Sequence, residues 1–271
     1  MRLKKSSINI ILLLSFETFL TISIMKKNYF ILSIALLCLT AFTNVAQTAD
    51  EIIAKYVTAY GGMDKIKGVK TEKMTLTIET GGMIINQTLY RKRPSMLREE
   101  TLLQGKTSLQ VFNGKEGWVI NPFTGRETVE AMPEDDVKEM KIEADLDGEL
   151  IDYAKKGSKV SYEGEEDVDG EMAYKLKLIA EKGDMMYFFI DKATNYLVKQ
   201  TAKQKNEDGS EQEYAILFSN FKNVEGRNIP FEMETNTTYM GQVYKTPIKI
   251  LSIEVNKEMS DDLFKKPEIK N

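Results

Sequence analysis

The sequence predicts a mainly β protein of the α+β class. We expect an unclosed, strongly curved antiparallel β-barrel of about 11–12 strands with an N-terminal helix and a helical insert as a lid. Apolar and polar residues alternate with a period of two in many short segments, and one central segment interrupts this pattern. The strand Met185–Ile190 is apolar on both faces, which indicates that it is covered on both sides. So many twisted strands curl rather than form one flat sheet.

A helix of about three turns is predicted at the start of the globular part. Thr48 and Glu51 form a capping box, in which their side chains satisfy the first free backbone donors of a helix. Gly61-Gly62 is a typical helix stop. The apolar face of this helix consists of Ile53, Tyr56, Val57 and Tyr60.

The period changes to two at Thr71, where Met74, Leu76 and Ile78 share one face of a strand. Gly81-Gly82 then turns the chain into a second strand, Met83–Tyr90. The same pattern predicts strands at Met96–Leu103, Ser108–Phe112, Gly117–Asn121, Lys159–Glu163, Ala173–Ala180, Met185–Ile190, Leu197–Lys203, Glu213–Phe221, Ile229–Thr238 and Val243–Val255. The short turns between them indicate antiparallel neighbours.

The interruption is predicted to contain one or two helices between two runs of strands. Pro133 suits a first helical position, and Glu134, Asp135 and Asp136 suit a first turn. A narrow apolar stripe follows at Val137, Met140 and Ala144 and continues through Leu146, Leu150, Ile151 and Tyr153.

Residues 25–46 have the composition of an export signal. Met25-Lys26-Lys27 is a short basic start, an apolar run follows, and Ala46 is a suitable cleavage point. Cys38 lies inside the apolar run and is either discarded with the signal or carries a lipid. Residues 1–24 are an upstream extension or a membrane anchor, although Glu17 interrupts their apolar run. Residues 47–271 are then one mature domain.

The predicted mature chain has neither histidine nor cysteine. This composition excludes Ser-His-Asp and Cys-His catalysis and the usual zinc sites. The mature chain has 32 lysines and arginines against 40 acids, which disfavours a nucleic-acid partner. Carboxylate pairs remain conceivable catalytic groups, but they lie at a helix start or in acidic turns, where acids are usually solvated. These pairs are Asp135-Asp136, Asp145 with Asp147, and the acids Glu163, Glu165, Glu166 and Asp167. Asp167–Glu171 has only part of a calcium-loop spacing.

Two short motifs resemble a known family. One is the strand Arg91–Glu99, which contains Arg93-Pro94 and Arg98, and the other is the hairpin Phe112–Pro122, which contains Asn113-Gly114, Trp118 and Asn121-Pro122. Both are similar to motifs of the LolA-like periplasmic carriers of outer-membrane lipoproteins, especially the branch found in Bacteroidetes-type bacteria. The order of signal, helix, hairpins, insert and further strands also agrees, over most of residues 48–266.

The resemblance implies an unclosed barrel whose helical lid encloses an apolar cavity for acyl chains. In this family an arginine near the start of the barrel holds the lid shut, and the matching residues are Arg93 and Arg98, of which we favour Arg98. The alternative for either arginine is a surface ion pair, for example with Glu99 or Glu100. Candidate lipid-binding residues are Met74, Leu76, Ile78, Met83, Ile85, Leu89, Leu97, Val111, Trp118 and Phe189.

The function implied is a periplasmic carrier that shields acyl chains of lipoproteins or other lipids during transfer towards the outer membrane. Its partners would be the lipid, a membrane donor complex and an outer-membrane acceptor, and the carrier would be a monomer without catalytic residue, cofactor or metal. One alternative is an envelope sensor that uses the same fold to bind protein partners without transporting lipid. Another is an acid-dependent hydrolase, whose turnover would require Asp135 or Asp169.

Overall fold

Thirteen antiparallel strands form one continuous sheet in the described part of the computed structural model, which covers residues 47–205, 211–239 and 241–268. Residues 48–271 form one compact unit. The strands are β1 Thr71–Thr80, β2 Met83–Lys92, β3 Met96–Leu103, β4 Lys106–Phe112, β5 Gly117–Asn121, β6 Arg126–Ala131, β7 Lys159–Val168, β8 Glu171–Ile179, β9 Met185–Asp191, β10 Leu197–Lys205, β11 Glu211–Val224, β12 Arg227–Tyr239 and β13 Gln242–Val255. The helices are α1 Ala49–Tyr60, α2 Met63–Gly68 and α3 Glu134–Glu143, with a 3-10 helix at Asp261–Phe264.

The order of strands in the sheet is β6-β5-β4-β3-β2-β1-β13-β12-β11-β10-β9-β8-β7. Each strand pairs with its sequence neighbour, except that the insert separates β6 from β7 and that β1 pairs with β13. The first and last strands therefore meet in the middle of the sheet, while β6 and β7 are its two free edges. Residues 132–158, which we call the insert, connect one free edge to the other.

Helix α1 has the predicted start and end. Thr48 accepts a hydrogen bond from the backbone of Glu51, and the Glu51 side chain accepts one from the backbone of Thr48. At the other end, Gly61 has a φ of 132°, and a Cβ there would lie 2.3 Å from the carbonyl oxygen of Gly226. Glycine thus permits both the helix stop and the close approach of the β11–β12 turn.

Three apolar clusters pack the insert and α1 against one face of the sheet. Met132, Met140 and Ala144 of the insert contact Leu97 of β3 and Phe112 of β4. Further along, Leu146 packs with Val69 and Val255. Leu150 then joins a cluster with two residues of α1 and four of β8 and β9, namely Ile52, Ile53, Leu176, Leu178, Phe188 and Ile190. The insert therefore crosses the face from the first half of the sheet to the second.

The mainly β fold with an open antiparallel sheet, an N-terminal helix and a helical insert is confirmed. The expected strand number was too low, because β6 was not predicted. This strand lies at a free edge, and Glu127, Thr128 and Glu130 in it are exposed. An edge strand that buries little has no clear apolar alternation for sequence reasoning to detect.

Of the one or two helices expected in the insert, only α3 forms. The chain from Ala144 to Gly157 forms a series of turns instead. Gly148, Asp152 and Gly157 have φ values of 71°, 56° and 78°, which are incompatible with a continuing α-helix. The apolar residues in this stretch therefore contact the sheet from turns rather than from a second helix.

The predicted export signal at 25–46, the extension at 1–24 and Cys38 lie outside the described residues. Within residues 47–205, 211–239 and 241–268, no helix is both long and apolar enough to cross a bilayer.

Candidate functional site

The strand register sorts the side chains of the sheet into two faces, because directly paired residues point to the same side. Met74 of β1 pairs with Leu89 of β2 and with Ile253 of β13. The face that contains these residues is the one that the insert and α1 cover, and we call it the inner face. The opposite side is the outer face.

An apolar surface runs along the inner face in the middle of the sheet. Met74, Leu76 and Ile250 are buried at its centre, and a partly exposed set surrounds them. This set consists of Ile78, Leu89, Phe231, Met233, Ile248 and Ile253. Exposure increases along β1 and β2 towards their turn, where 41% of the Met83 surface is accessible. The inner face is therefore covered at the end that α1 occupies and opens towards the β1–β2 turn.

The register divides the candidate lipid-binding residues between the two faces. Seven lie on the inner face, namely Met74, Leu76, Ile78, Met83, Ile85, Leu89 and Leu97. Val111 and Trp118 pair with each other and, through Arg98, belong to the outer face. Phe189 pairs with Lys175 and Lys199 on the outer face. Since only the inner face borders the insert and α1, these three residues do not line the same surface as the other seven.

Sequence reasoning missed the inner-face residues of β12 and β13. Phe231, Met233, Ile248 and Ile250 complete the apolar surface around Met74 and Leu76. Alternation in both strands was visible in the sequence, but the pairing of β1 with β13 was not. Without that long-range pairing, nothing indicated that these residues lie beside the first hairpin.

A cavity of about 510 Å³ lies between the insert and the β8–β9 hairpin. Its apolar wall consists of Ile142 from α3 and Leu178, Ala180 and Met186 from the hairpin region. Its volume falls within the range of small-molecule sites in proteins. Lys138, Lys141, Lys156 and Lys182 also line it, with the acids Asp145, Glu149, Glu181 and Asp184. An apolar wall with charged groups beside it suits a molecule with a long apolar part and a polar end.

Two acids of this cavity lie in different electrostatic surroundings. Asp145 forms an ion pair with Lys156, whose ammonium group also donates a hydrogen bond to the carbonyl oxygen of Gly148. Burial raises the pKa of Glu149, although a backbone hydrogen bond and the charge of Lys156 partly oppose this effect. The cavity therefore holds one paired carboxylate and one carboxyl group that binds a proton more readily than usual.

Arg93, in the turn before β3, links the insert to the end of α2 through hydrogen bonds. Its guanidinium donates hydrogen bonds to both carboxylate oxygens of Asp147, at 2.5 and 3.2 Å. It also donates to the carbonyl oxygens of Ile66 and Val69, at the end of α2. Lys67 of α2 contacts Asp147 at 2.5 Å and adds a second positive charge. Burial favours a raised pKa for Asp147, but the hydrogen bonds from Arg93 and Lys67 hold it below its usual value.

Arg98, the favoured candidate for the residue that holds the lid, has other contacts. It donates a hydrogen bond to Glu100 at 2.8 Å and another to the carbonyl oxygen of Leu263, at 3.2 Å. Leu263 belongs to the C-terminal 3-10 helix, which packs against β3. Arg98 points to the outer face because it is an odd number of residues from Leu97. The contact with the insert is thus made by Arg93 rather than by Arg98.

Glu99 is an acid buried on the inner face beneath α3. It pairs with Leu89 and Gln110 of the neighbouring strands and is only 8% exposed. Burial, and then the nearby carboxylate of Glu143 at the end of α3, raise the pKa of Glu99 to about 8, while Arg91 acts in the opposite direction. Glu99 and Glu143 together therefore hold a proton to a higher pH than an exposed carboxyl group does.

A second buried charge cluster lies where β1, β2 and β12 meet. Glu72 contacts Arg91 at 2.5 Å and Arg227 at 3.2 Å, and both Glu72 and Arg227 are less than 5% exposed. Burial opposes ionisation of Glu72, but the two arginines keep its pKa below the usual value. The cluster joins the first hairpin to β12, so its role is structural.

The carboxylate pairs considered as catalytic groups are separated by their ion-pair partners. Asp135 is exposed and pairs with Lys138, Asp145 pairs with Lys156, and Asp147 pairs with Arg93 and Lys67. Glu165 and Glu166 pair with Lys192 and Lys175. Among the described residues, no group of three or more acids is arranged to hold a metal ion. Each of these five acids therefore has a basic partner.

Solved structures with the same architecture include three bacterial proteins. A LolA superfamily protein from Nitrosomonas europaea is 12% identical, with a TM-score of 0.54, over 82% of this chain and 99% of its own. A DUF1329 family protein from Desulfovibrio piger is 16% identical, with a TM-score of 0.52, over 79% and 97%. A domain named for outer membrane lipoprotein sorting, from Vibrio parahaemolyticus, is 12% identical, with a TM-score of 0.51, over 80% and 95%. At these identities the likeness concerns the fold.

The sequence comparisons are less informative than the structural ones. Residues 144–271 match the model of a family described as "Uncharacterized protein", from the end of α3 to the C-terminus. No curated protein matches the chain significantly. The LolA-like open barrel is thus established at the level of fold.

Proposed function

We propose, from the premise of a LolA-like open barrel, that this protein is a carrier that shields acyl chains of lipoproteins or other lipids in the bacterial periplasm. The observation that carries the proposal is the apolar inner face, together with the cavity of about 510 Å³ beneath the insert. Both lie on the side of the sheet that the insert crosses. A cover that joins the two free edges of the sheet can open without breaking a strand pair.

The apolar lining accounts for affinity without directional bonds. Each buried methylene contributes ~0.8 kcal/mol, so an acyl chain of about a dozen methylenes gains on the order of 10 kcal/mol before the costs of ordering. Methionines such as Met74, Met186 and Met233 adapt to irregular apolar shapes. The lining therefore suits acyl chains that differ in length and branching.

We assign the closing of the lid to Arg93. The Asp147 carboxylate belongs to the insert, and Arg93 holds it together with the end of α2. When this contact breaks, residues 144–153 keep the ion pairs of Lys67 with Asp147 and Asp152 but lose their attachment to the turn before β3, which lets the insert move away from the cavity. Arg98 is then a residue that fixes the C-terminal segment to β3.

The cellular setting in this proposal follows the composition of the N-terminus. Export through the signal at 25–46, with cleavage after Ala46, would deliver a monomeric carrier to the periplasm. A membrane donor complex would load it, and an acceptor at the outer membrane would unload it. No catalytic step, cofactor or nucleic acid is part of this cycle.

The proposal is tested by mass spectrometry of the protein isolated from bacteria under non-denaturing conditions, together with titration of a fluorescent fatty acid. We expect bound lipid in the isolated protein and saturable binding of the probe. Met186→Glu, which puts a charge in the cavity wall, should weaken probe binding at least tenfold. Met172→Glu is the matched control, because Met172 is exposed and does not line the cavity.

Equal effects of the two substitutions would contradict the proposed site. An isolated protein without lipid that cannot bind the probe, but that is recovered with a stable protein partner, would favour the envelope sensor instead. Circular dichroism of both variants separates a loss of binding from a loss of folding.

A further inference from the structure

Four hairpin turns lie side by side at one end of the sheet. The register of β1 with β2 and with β13 brings the β1–β2 turn next to the β12–β13 turn. The turns of β3–β4 and β5–β6 follow at the same end, because each of these hairpins reverses the chain once more. The eight strands involved are consecutive in the sheet. Their four turns therefore form one continuous edge, which we call the apolar rim.

The apolar rim concentrates exposed apolar side chains. Of the eleven large hydrophobic residues that are exposed in the described part of the chain, six belong to it. They are Met83, Ile84, Leu102, Phe123, Val243 and Tyr244, with accessible fractions from 41% to 64%. Scattered apolar residues need no explanation, but a contiguous group on a chain with 29% charged residues indicates a binding surface.

The charge of the rim differs from that of the whole chain. The four hairpin segments, residues 80–90, 101–110, 120–126 and 236–247, contain three charged residues, Lys106, Arg126 and Lys245, and all three are basic. Glu79 and Glu127 lie just behind the turns in the sequence, and Lys245 forms an ion pair with Glu234 of β12 at 2.9 Å. The full chain has a net charge of −4. The four segments of the apolar rim thus combine apolar residues with three basic ones and contain no acid of their own.

Several other turns of the sheet carry acidic residues. At the same end, the β8–β9 turn carries Glu181, Lys182 and Asp184, so the rim does not extend to that hairpin. At the opposite end, turns carry Lys115 and Glu116, or Asp169 and Glu171. Apolar turns with few acids are therefore a feature of one end of the eight strands β1–β6, β12 and β13.

We propose that the apolar rim docks on a lipid bilayer that contains anionic headgroups. Exposed Met, Ile, Leu and Val side chains suit the boundary between headgroups and acyl chains, and Phe123 and Tyr244 are residue types typical of that region. The exposed Lys106 at the rim attracts anionic lipid, although the net negative chain as a whole is repelled by it. A bilayer with anionic headgroups can bury the apolar side chains and attract the basic group at the same time.

The position of the rim relative to the inner face supports this orientation. Met83 and Tyr244 belong to the inner face, since Met83 pairs with Thr80 and Tyr244 pairs with Thr237. The apolar surface of Ile78 and Ile248 continues towards them. Docking through the rim would thus point the open end of the inner face at the membrane. The docking surface goes beyond the carrier function and does not depend on it.

Vesicle flotation tests the docking surface. Residues 48–271, which form a compact unit of their own, are mixed with vesicles of phosphatidylcholine alone or with phosphatidylglycerol added. This choice keeps the apolar N-terminal segment from contributing to binding. We expect the protein to float with the mixed vesicles and much less with the neutral ones.

Matched variants identify the rim as the contact. Met83→Asp together with Ile84→Asp should lower the bound fraction about tenfold. Met172→Asp, at a methionine of similar exposure near the opposite end, should leave it unchanged. Lys106→Glu should weaken binding to anionic vesicles at least about fivefold, whereas Lys115→Glu should not.

Three results would overturn the proposal. They are no flotation with either vesicle, equal losses in the Met83 and Met172 variants, and a dimer in ultracentrifugation that the Met83→Asp change dissociates. The last result would assign the rim to a second copy of the chain. Loss of fatty-acid binding with flotation retained would remove the carrier function and leave the docking surface standing. Fatty-acid binding without flotation would remove the docking surface and leave the carrier function standing.

Discussion

Protonation of Glu99, which lies beneath the insert, makes the stability of the folded protein depend on pH. The side chain is buried on the inner face under α3, and the only nearby basic group that affects its pKa is Arg91, among the described residues. Glu143, the last residue of α3, adds a like charge at the end of the helix where the dipole already disfavours acids. Burial and the like charge of Glu143 therefore favour the protonated form in the folded state.

We expect the stability of the protein to fall as the pH rises from about 4.5 to about 8. The folded state keeps the Glu99 proton until about pH 8, whereas the unfolded state releases it near 4.5, so folding binds a proton in this interval. The slope is on the order of 1 kcal/mol per pH unit in the free energy of unfolding. Urea titrations at several pH values measure it.

Glu99→Gln should reduce that slope and raise stability at pH 8, because the amide has no proton to lose. Glu149, whose pKa burial also raises, contributes a slope of the same sign. Glu116→Gln, in an exposed turn, is the control and should change nothing. Asp147 acts in the opposite direction, and its contribution is lost only below about pH 4, where its ion pairs break. A pH profile of Glu99→Gln identical to that of the unmodified chain would contradict this account.

Arg93 and Arg98 show the limit of residue-level inference. Both were identified by the same motif, and they are five residues apart on one strand and its preceding turn. What distinguishes them is the side of the sheet and the partner. Asp147, the partner of Arg93, is 54 residues away, and Leu263, the partner of Arg98, is 165 residues away. No local pattern in the sequence contains that information.

At the scale of elements, α3 packs on the sheet through Val137 and Met140 and lines the cavity with Lys138, Lys141 and Ile142. Met140 is 3% exposed and contacts Leu97 and Phe112, while Ile142 is 54% exposed and lines the cavity. Five of the ten residues of the helix are acids, three of them in its first turn. Its attachment to the sheet therefore depends on a small number of apolar contacts, which suits a cover that opens.

Substituting these two residues should separate stability from ligand binding. Met140→Ser should lower the free energy of unfolding by about 2–3 kcal/mol, because it leaves a cavity between α3 and the sheet. Ile142→Ser should change stability by less than about 0.5 kcal/mol and should weaken fatty-acid binding. Urea unfolding and probe titration measure the two quantities. If Ile142→Ser bound the probe like the unmodified protein, the cavity under α3 would not be the acyl site.

At the scale of the whole molecule, the sheet depends on the pairing of its first and last strands. β13 pairs with β1 on one side and β12 on the other, so it joins two meanders of six strands each. The polypeptide beyond β13 has a smaller role. It buries Phe264 and provides the carbonyl oxygens of Met259 and Leu263 to Lys92 and Arg98.

Two truncations should therefore behave differently. A chain that ends at Glu258 should fold, with stability reduced by about 3 kcal/mol from the loss of Phe264 burial. A chain that ends at Gly241 lacks β13 and should show no cooperative unfolding transition, since neither meander then has its central partner. Circular dichroism in urea distinguishes the two. A cooperative transition in the shorter chain would show that the meanders fold independently.

The amino-acid sequence by itself determined the start of α1, twelve of the strands and the absence of histidine and cysteine after residue 46. These features depend on local periodicity, on capping residues and on composition, which a linear chain displays directly. It also determined the two faces of each strand, because side chains alternate.

The tertiary structure alone decided which face of each strand is covered, and it excluded Val111, Trp118 and Phe189 from the inner face. It decided that Arg93 holds the insert, that β1 meets β13 and that four turns share one rim. The physical reason is that these features arise from pairing and packing between residues far apart in the chain. The alternation within a strand is the same whichever face the rest of the molecule covers.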